Sequence, residues 1–234
     1  MNKLFILFLS VLLVSPVFCR PASSEEASPL RKSKKVSEKK LNQRSEGFIA
    51  RGKYPAFGNR FADKAIKQLI KDTVEIYKNE SAMHAAEGLT CTLDVSYEAY
   101  GDFVNFAGVM LDFSYYYGGE RGAHRVVTKN FDLLTDMELQ LYNIFKDGAD
   151  YISRISPLAV DSINKSPDVR SNLNWILKGA GPKKENFRRF ALDKDRVIFY
   201  FEPLEVAPQS NGVVKAEILL EDIKNILNPY LFKR

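Results

Sequence analysis

The side chains able to do chemistry in this 234-residue chain are few and scattered. There are two histidines, His84 and His124, and two cysteines, Cys19 and Cys91. Neither histidine falls in an HExxH or HxxxH spacing, and the cysteines form no CxxC pair. No zinc site of the common kinds is therefore spelled out, and neither a metal nor another cofactor is expected. A GxSxG nucleophile elbow is missing as well. His124 could meet Ser114 or Ser96 in space as a general base, a pairing that the sequence alone does not enforce. Among the carboxylates, Asp94 and Glu98 share a face of one strand that looks turned to solvent. Glu202 and Glu205 flank Pro203 in a loop, where ligand contacts often sit. No residue is assigned a catalytic role on these grounds.

Residues suited to recognition gather in one place. Tyr115, Tyr116 and Tyr117 precede Gly118, Gly119 and Gly122, with Glu120 and Arg121 between the glycines and His124 just after them. Glycines let the backbone reach positive φ, so a strand arriving at Tyr117 turns over a tip and returns through Val126 and Val127. Tyrosines offer contact area with few torsions to freeze, and the charged residues orient an encounter. The candidate binding set is thus Tyr115, Tyr116, Tyr117, Glu120, Arg121, His124, Glu202 and Glu205. The same pattern also describes a plain hairpin whose tyrosines alternate between faces.

These residues must be held by a framework, and the composition, 45% hydrophobic and 27% charged, is that of a globular domain. Asn59 caps a helix expected over residues 59–79, with Ala62, Ala65, Ile66, Leu69, Ile70, Val74 and Tyr77 on one face. Residues 89–99 alternate strictly between apolar and polar, the mark of a half-buried strand. Cys91 falls on the apolar side and reads as a core residue. Residues 103–117, with Gly108 as a bulge candidate, and 124–133 complete an antiparallel meander.

A helix is expected over 151–164, with Pro157 starting or kinking a segment, and another beginning at Ser166-Pro167-Asp168. Gly179 to Lys184 has the wrong spacing for a phosphate loop and reads as a helix end. A hairpin over 187–192 and 197–201, a strand over 213–218 and a closing helix over 220–227 complete the chain. The fold class is α+β: antiparallel sheets with packed helices, in two subdomains, 54–122 and 123–234, of one compact unit.

The N-terminal part looks different. Residues 1–19 combine Lys3, an apolar run over 4–14 interrupted only by Ser10, and small residues before a cleavage point at Cys19, the pattern of a signal peptide. The run is short for a membrane span. An exported product, periplasmic or secreted, with no transmembrane span after cleavage is expected. The alternative is a lipoprotein anchored through Cys19, which the bulky Phe18 disfavours. Residues 20–53 read as a disordered basic linker: they hold ten basic and four acidic residues, so the formal +5 of the chain becomes −2 from Tyr54 onward once Lys3 is also set aside. That body carries no nucleic-acid footprint.

The order of these signals resembles a known family. Tyr54-Pro55 before the amphipathic helix, the Gly118-Gly119 to Asn130-Phe131-Asp132-Leu133 stretch, Leu139-Leu141-Ile144-Phe145 and residues 201–208 resemble the extracytoplasmic domain of RsiV-type anti-sigma factors. The same paired module accompanies PdaC-type peptidoglycan deacetylases. The resemblance covers about residues 54–227 and implies the module alone. A signal peptide and basic linker stand where RsiV-type proteins carry a sigma-binding segment and a membrane span. Only seven residues follow Leu227, too few for a deacetylase domain. The second half resembles a subdomain of the heat-shock cognate ATPase, but without a phosphate loop nucleotide binding is not implied.

The reading is an exported envelope module that binds a lysozyme-like protein or peptidoglycan without catalysis. A small cell-wall or ester hydrolase working through His124, or a structural accessory of the envelope, are the alternatives. An enzyme places His124 in a deep cleft with a hydrogen-bonded partner, a binder exposes the glycine tip, and an accessory does neither. Edman sequencing of the protein from its native host is expected to start at Arg20; material retaining residues 4–14, or lipid on Cys19, would contradict this.

Overall fold

In a computed structural model, the described residues are 36–118 and 122–232. The signal segment, Cys19, Glu120 and Arg121 lie outside them. The described residues belong to one compact unit, Lys32–Arg234. It has four layers: a helix, a six-stranded sheet, a three-stranded sheet and a pair of helices.

The first helix, α1 (Arg60–Ala86), starts where Asn59 accepts the Ala62 amide at 2.9 Å. It runs past the expected end at residue 79. Gly88, at φ 78°, closes it with a Schellman motif: Leu89 N–H donates to His84 O at 3.1 Å and Gly88 N–H to Ala85 O at 3.0 Å. Ala62, Ile66, Ile70, Val74 and Tyr77 are buried against the sheet.

The large sheet holds β1 (Ser37–Ser45), β2 (Phe48–Ala56), β3 (Cys91–Gly101), β4 (Phe106–Tyr116), β5 (Ala123–Asp132) and β6 (Met137–Glu138), in sequence order. The meander β3–β4–β5 is as expected. The linker expectation fails over its second half, because β1 and β2 form a hairpin within residues 37–56. β1 shows no apolar alternation since it is a charged, exposed edge strand, held by backbone pairing. These strands bring five basic and two acidic residues into the folded part, whose formal charge from Ser37 onward is therefore +1 rather than −2. β2 and β3 are parallel, because α1 carries the chain back between them. The other pairs are antiparallel.

The small sheet holds β7 (Phe190–Leu192), β8 (Arg196–Phe201) and β9 (Val214–Leu219), all antiparallel. α2 (Tyr151–Lys165) and α3 (Leu173–Ala180) cover one of its faces. Along β8 the buried side chains alternate: Val197, Phe199 and Phe201 face the helices, while Ile198 and Tyr200 meet Met110 and Val126 of the large sheet. Pro157 lies inside α2 rather than at a boundary, tolerated on a helix that buries Ile152, Ile155, Ala159 and Ile163. Ser166-Pro167-Asp168 is a turn and starts no helix; α3 begins at Leu173, where Asn172 accepts the Trp175 amide at 3.0 Å. The end of the chain is a 3₁₀ turn at Leu220–Ile223 and a short α4 (Pro229–Phe232), not one helix.

A boundary at residues 122/123 is not where the two halves divide, since β5 is bonded along its length to β4. Side chains join the two sheets. Thr128 Oγ1 accepts the Phe190 amide at 3.0 Å. Asn130, 2% exposed, donates to Phe190 O and accepts from Leu192 N, both at 2.8 Å. These are the outward backbone groups of β7, so β5 side chains stand in for a missing strand. Gly108, opposite Asn130, is no bulge: a Cβ there would lie 2.7 Å from Asn130 Oδ1 and 3.2 Å from Leu192 O.

A second join runs from Tyr200, whose hydroxyl donates to Tyr100 at 2.5 Å; Tyr100 donates to Glu98, and Lys215 donates to Glu98 at 2.6 Å. Burial opposes ionisation of Glu98, but Lys215 and the tyrosyl hydroxyls outweigh it and hold its carboxyl below the usual range. This contribution is present above the ordinary glutamate pKa and is lost as pH falls.

Asn130→Ala would leave the Phe190 carbonyl and the Leu192 amide buried without partners. A loss of about 2–4 kcal/mol is expected, read as a lower urea midpoint at unchanged slope.

Candidate functional site

The large sheet ends unevenly. β6 covers the outer edge of β5 only at Phe131 and Asp132, leaving the first part of β5 without a neighbouring strand among the described residues. In an antiparallel strand, alternate residues turn both backbone groups outward. Here they are the even-numbered ones. Val126 N–H donates outward to Glu202 Oε1 at 2.8 Å, and Asn130 O accepts from Leu139 N–H at 2.7 Å. Along this edge lies a cleft of about 590 Å³, lined by Tyr115, Arg125 and Val127 from one side and His124, Arg188, Arg189 and Glu202 from the other.

The floor on the Glu202 side is a charged lattice. Arg189 has a side chain only 9% exposed. Its Nε donates to Tyr200 O at 3.3 Å, Nη1 lies 3.5 Å from Glu202 Oε2, and Nη2 bonds Glu205. Glu205 also accepts the Glu202 amide at 2.7 Å and lies 3.4 Å from Arg188 Nη2. The loop between the carboxylates is fixed. Leu204 sits at φ 74°, and its carbonyl accepts from Trp175 Nε1 at 3.1 Å. Gly179 lets α3 approach, since a Cβ there would meet Glu205 O at 2.1 Å. Arg188, by contrast, is 61% exposed in its side chain. Arg125 is exposed; among the described residues no salt bridge to it is formed, and its partner is the Tyr77 hydroxyl.

The structure divides the residues singled out from the sequence. Tyr115, His124 and Glu202 meet in the cleft, with Glu205 behind Glu202. The three tyrosines do not share a surface, because successive strand residues point to opposite faces. Tyr115 packs on Tyr77 with ring centroids 4.5 Å apart and on Tyr117 at 5.2 Å. Tyr117 is tied to Glu80 and lies 5.1 Å from the His84 ring. Burial, then Tyr115, pushes the Tyr77 hydroxyl up to about 12. Tyr116, 39% exposed, stands on the opposite face. Arg125, Arg188 and Arg189 were not singled out from the sequence. The signal for the last two is a pair of arginines entering an otherwise apolar strand.

His124 meets both partners a hydrolase would want, Ser114 Oγ at 2.9 Å and Asp112 Oδ1 at 3.3 Å. Both face the same ring nitrogen, Nδ1. A Ser-His-Asp triad needs the two partners on different nitrogens, so that the base orients through one and takes a proton through the other. The His124 side chain is also 46% exposed. Among the described residues no three His, Cys, Asp or Glu side chains are grouped to hold a metal ion.

Comparison with known proteins then gives the lineage. Residues 142–221 match the family described as a protein of unknown function, DUF3298. The matched stretch is about a third of the chain. Over 176 residues, 74% of the chain, the protein is 30% identical to the peptidoglycan-N-acetylmuramic acid deacetylase PdaC of Bacillus subtilis strain 168. The match spans 38% of that enzyme's length.

Two crystal structures of DUF3298 family members share the fold. One, from Bacteroides fragilis NCTC 9343, is 17% identical with a TM-score of 0.58, over 84% of this chain and 95% of that one. The other, from Pseudomonas aeruginosa PAO1, is 13% identical with a TM-score of 0.60, over 86% and 98%. The α+β class with largely antiparallel sheets and the relation to the PdaC-associated module are thereby established. No helix among the described residues is long and apolar enough to cross a membrane.

Arg189→Met removes the guanidinium from two partly buried carboxylates and is expected to cost about 2–4 kcal/mol. Arg188→Gln, at the exposed rim, should change stability by under about 0.5 kcal/mol. Guanidinium chloride denaturation of both variants checks the contrast.

Proposed function

We propose that this protein is an exported module of the cell envelope that binds a partner through the cleft at the β5 edge and catalyses nothing. The observation that carries the reading is the meeting of Tyr115, His124 and Glu202 with Arg125 and Arg188 in one open cleft. Aromatic surface and exposed guanidinium groups are the usual stuff of recognition surfaces. The site rests on a rigid framework: the Arg189 lattice fixes one wall and the packing of Tyr115 on Tyr77 fixes the other.

The arrangement of Ser114, His124 and Asp112 supports binding rather than turnover. With both partners at Nδ1, the imidazole is held as a polar wall and not poised as a base. The similarity to a peptidoglycan deacetylase points to cell-wall material as one partner. The RsiV-type resemblance points to a lysozyme-like protein as the other. Steering of a basic lysozyme would be local, since the folded part is close to neutral.

One observation favours a second reading: the 2.9 Å contact of Ser114 with His124, which a rotation of the ring could turn toward hydrolysis.

Calorimetric titration with lysozyme and with soluble peptidoglycan fragments tests the proposal. Binding to one of them, weakened at least about tenfold by Arg125→Ala or His124→Ala, is expected. Affinity for neither, or binding indifferent to both variants, would reject the cleft. Esterase, deacetylase or muramidase turnover that disappears with His124→Ala would establish the hydrolase instead.

A further inference from the structure

With the cleft as the binding site, the reading on which this inference rests, its chemistry has a bias that the partner must match. Two features coincide there. The first is backbone. His124 lies on the same outward parity as Val126 and Asn130, and no strand faces it among the described residues. An open strand edge of this kind takes an extended segment by main-chain hydrogen bonds. The second is charge. Arg189 is already committed to Glu202 and Glu205, whereas Arg188 is mostly exposed with a 3.4 Å contact to Glu205, and Arg125 is exposed on the other wall. Arg125 also reaches the Tyr77 hydroxyl, a neutral partner that leaves its charge uncompensated, so the two guanidinium groups accessible to a ligand flank the open edge from both sides. A planar guanidinium is the side chain best matched to a carboxylate.

Glu202 shows how a carboxylate sits on this edge. One of its oxygens takes the Val126 amide at 2.8 Å while the other lies 3.5 Å from Arg189. The neighbouring position along the strand, at His124, has the same outward backbone and lines the same cleft as the two exposed arginines; the protein's own carboxylate there, Asp112, contacts the imidazole at 3.3 Å and not the outward backbone.

We propose that the cleft receives a short extended peptide bearing a carboxylate, which adds to the β5 edge at His124 and places its carboxylate between Arg125 and Arg188. A terminal α-carboxylate and an aspartate side chain supply the same chemistry, and the test separates them. Fluorescence anisotropy of the full chain would be measured with a fluorescein-labelled β-prone pentapeptide as free acid, as C-terminal amide, and as amide with one internal aspartate.

Binding of the free acid at least about tenfold tighter than the amide assigns the terminal carboxylate; the same gain in the aspartate peptide alone assigns the side chain. In either case Arg125→Gln and Arg188→Gln should each weaken binding about tenfold, and N-methylation of alternate peptide amides should abolish it. Equal affinity of all three peptides, or affinity unchanged in both arginine variants, would overturn the proposal, as would tolerance of N-methylation on every amide. If lysozyme or peptidoglycan fragments still bind in an Arg125-dependent way while the peptides are not discriminated, the cleft remains the partner site and the strand-addition inference falls. Arg188 and Arg125 are exposed, so both variants keep the fold, and a thermal melt of each confirms it.

Discussion

The structure depends on two sheets finishing each other's edges. A strand without a neighbour leaves backbone donors and acceptors unpaired, and burying them so is costly. Here neither sheet lends a strand to the other. Instead β5 sends Thr128 and Asn130 to the outward groups of β7, and the loop after β8 sends Glu202 to the outward amide of β5. The exchange is reciprocal and uses side chains whose geometry imitates the backbone. It fixes the angle and separation of the sheets, and hence the position of both cleft walls. Gly108 belongs to the same arrangement, since its missing Cβ is what lets Asn130 and β7 close on the strand.

Most of the framework was legible from hydrophobic period. The strict alternation from Leu89 and the three-and-four spacing of α1 are strong signals because one face of each element is buried on one core. The boundary of α1 was missed although its stop signal, Gly88, stands in the sequence, because the apolar stripe thins before the helix ends. β1 was illegible for a better reason. Its residues are those of a solvated spacer, Glu38, Lys39, Lys40 and Arg44 among them, and only its pairing with β2 makes it a strand. Nothing local to residues 37–45 encodes that partner. The parallel step between β2 and β3 was hidden with it.

The site was legible in part and for a similar reason. His124, Tyr115 and Glu202 could be singled out by residue type and loop context, but residue type carries no information on which face or edge they share. Alternation then separates Tyr116 from its two neighbours, and the β5 edge gathers residues far apart in sequence. Arg189, at the entrance to a hairpin, was not singled out, because an arginine there carries no local sign of burial. Its burial follows from two carboxylates and a carbonyl that only the folded loop assembles.

The joint between the sheets also bears on what counts as a unit of inheritance. The DUF3298 match begins at residue 142, after β5, yet Thr128 and Asn130 lie before that point. Severed there, the C-terminal half would carry β7 with a bare outer edge, and Ala191, Ile198 and Tyr200 would face water instead of Met110 and Val126. The stretch matched by the family is thus smaller than the stretch that physics requires to fold, whereas the 176-residue similarity to PdaC is long enough to include the preceding strands. A lineage that shuffles this domain must move the preceding sheet with it, or supply another surface able to close the β7 edge.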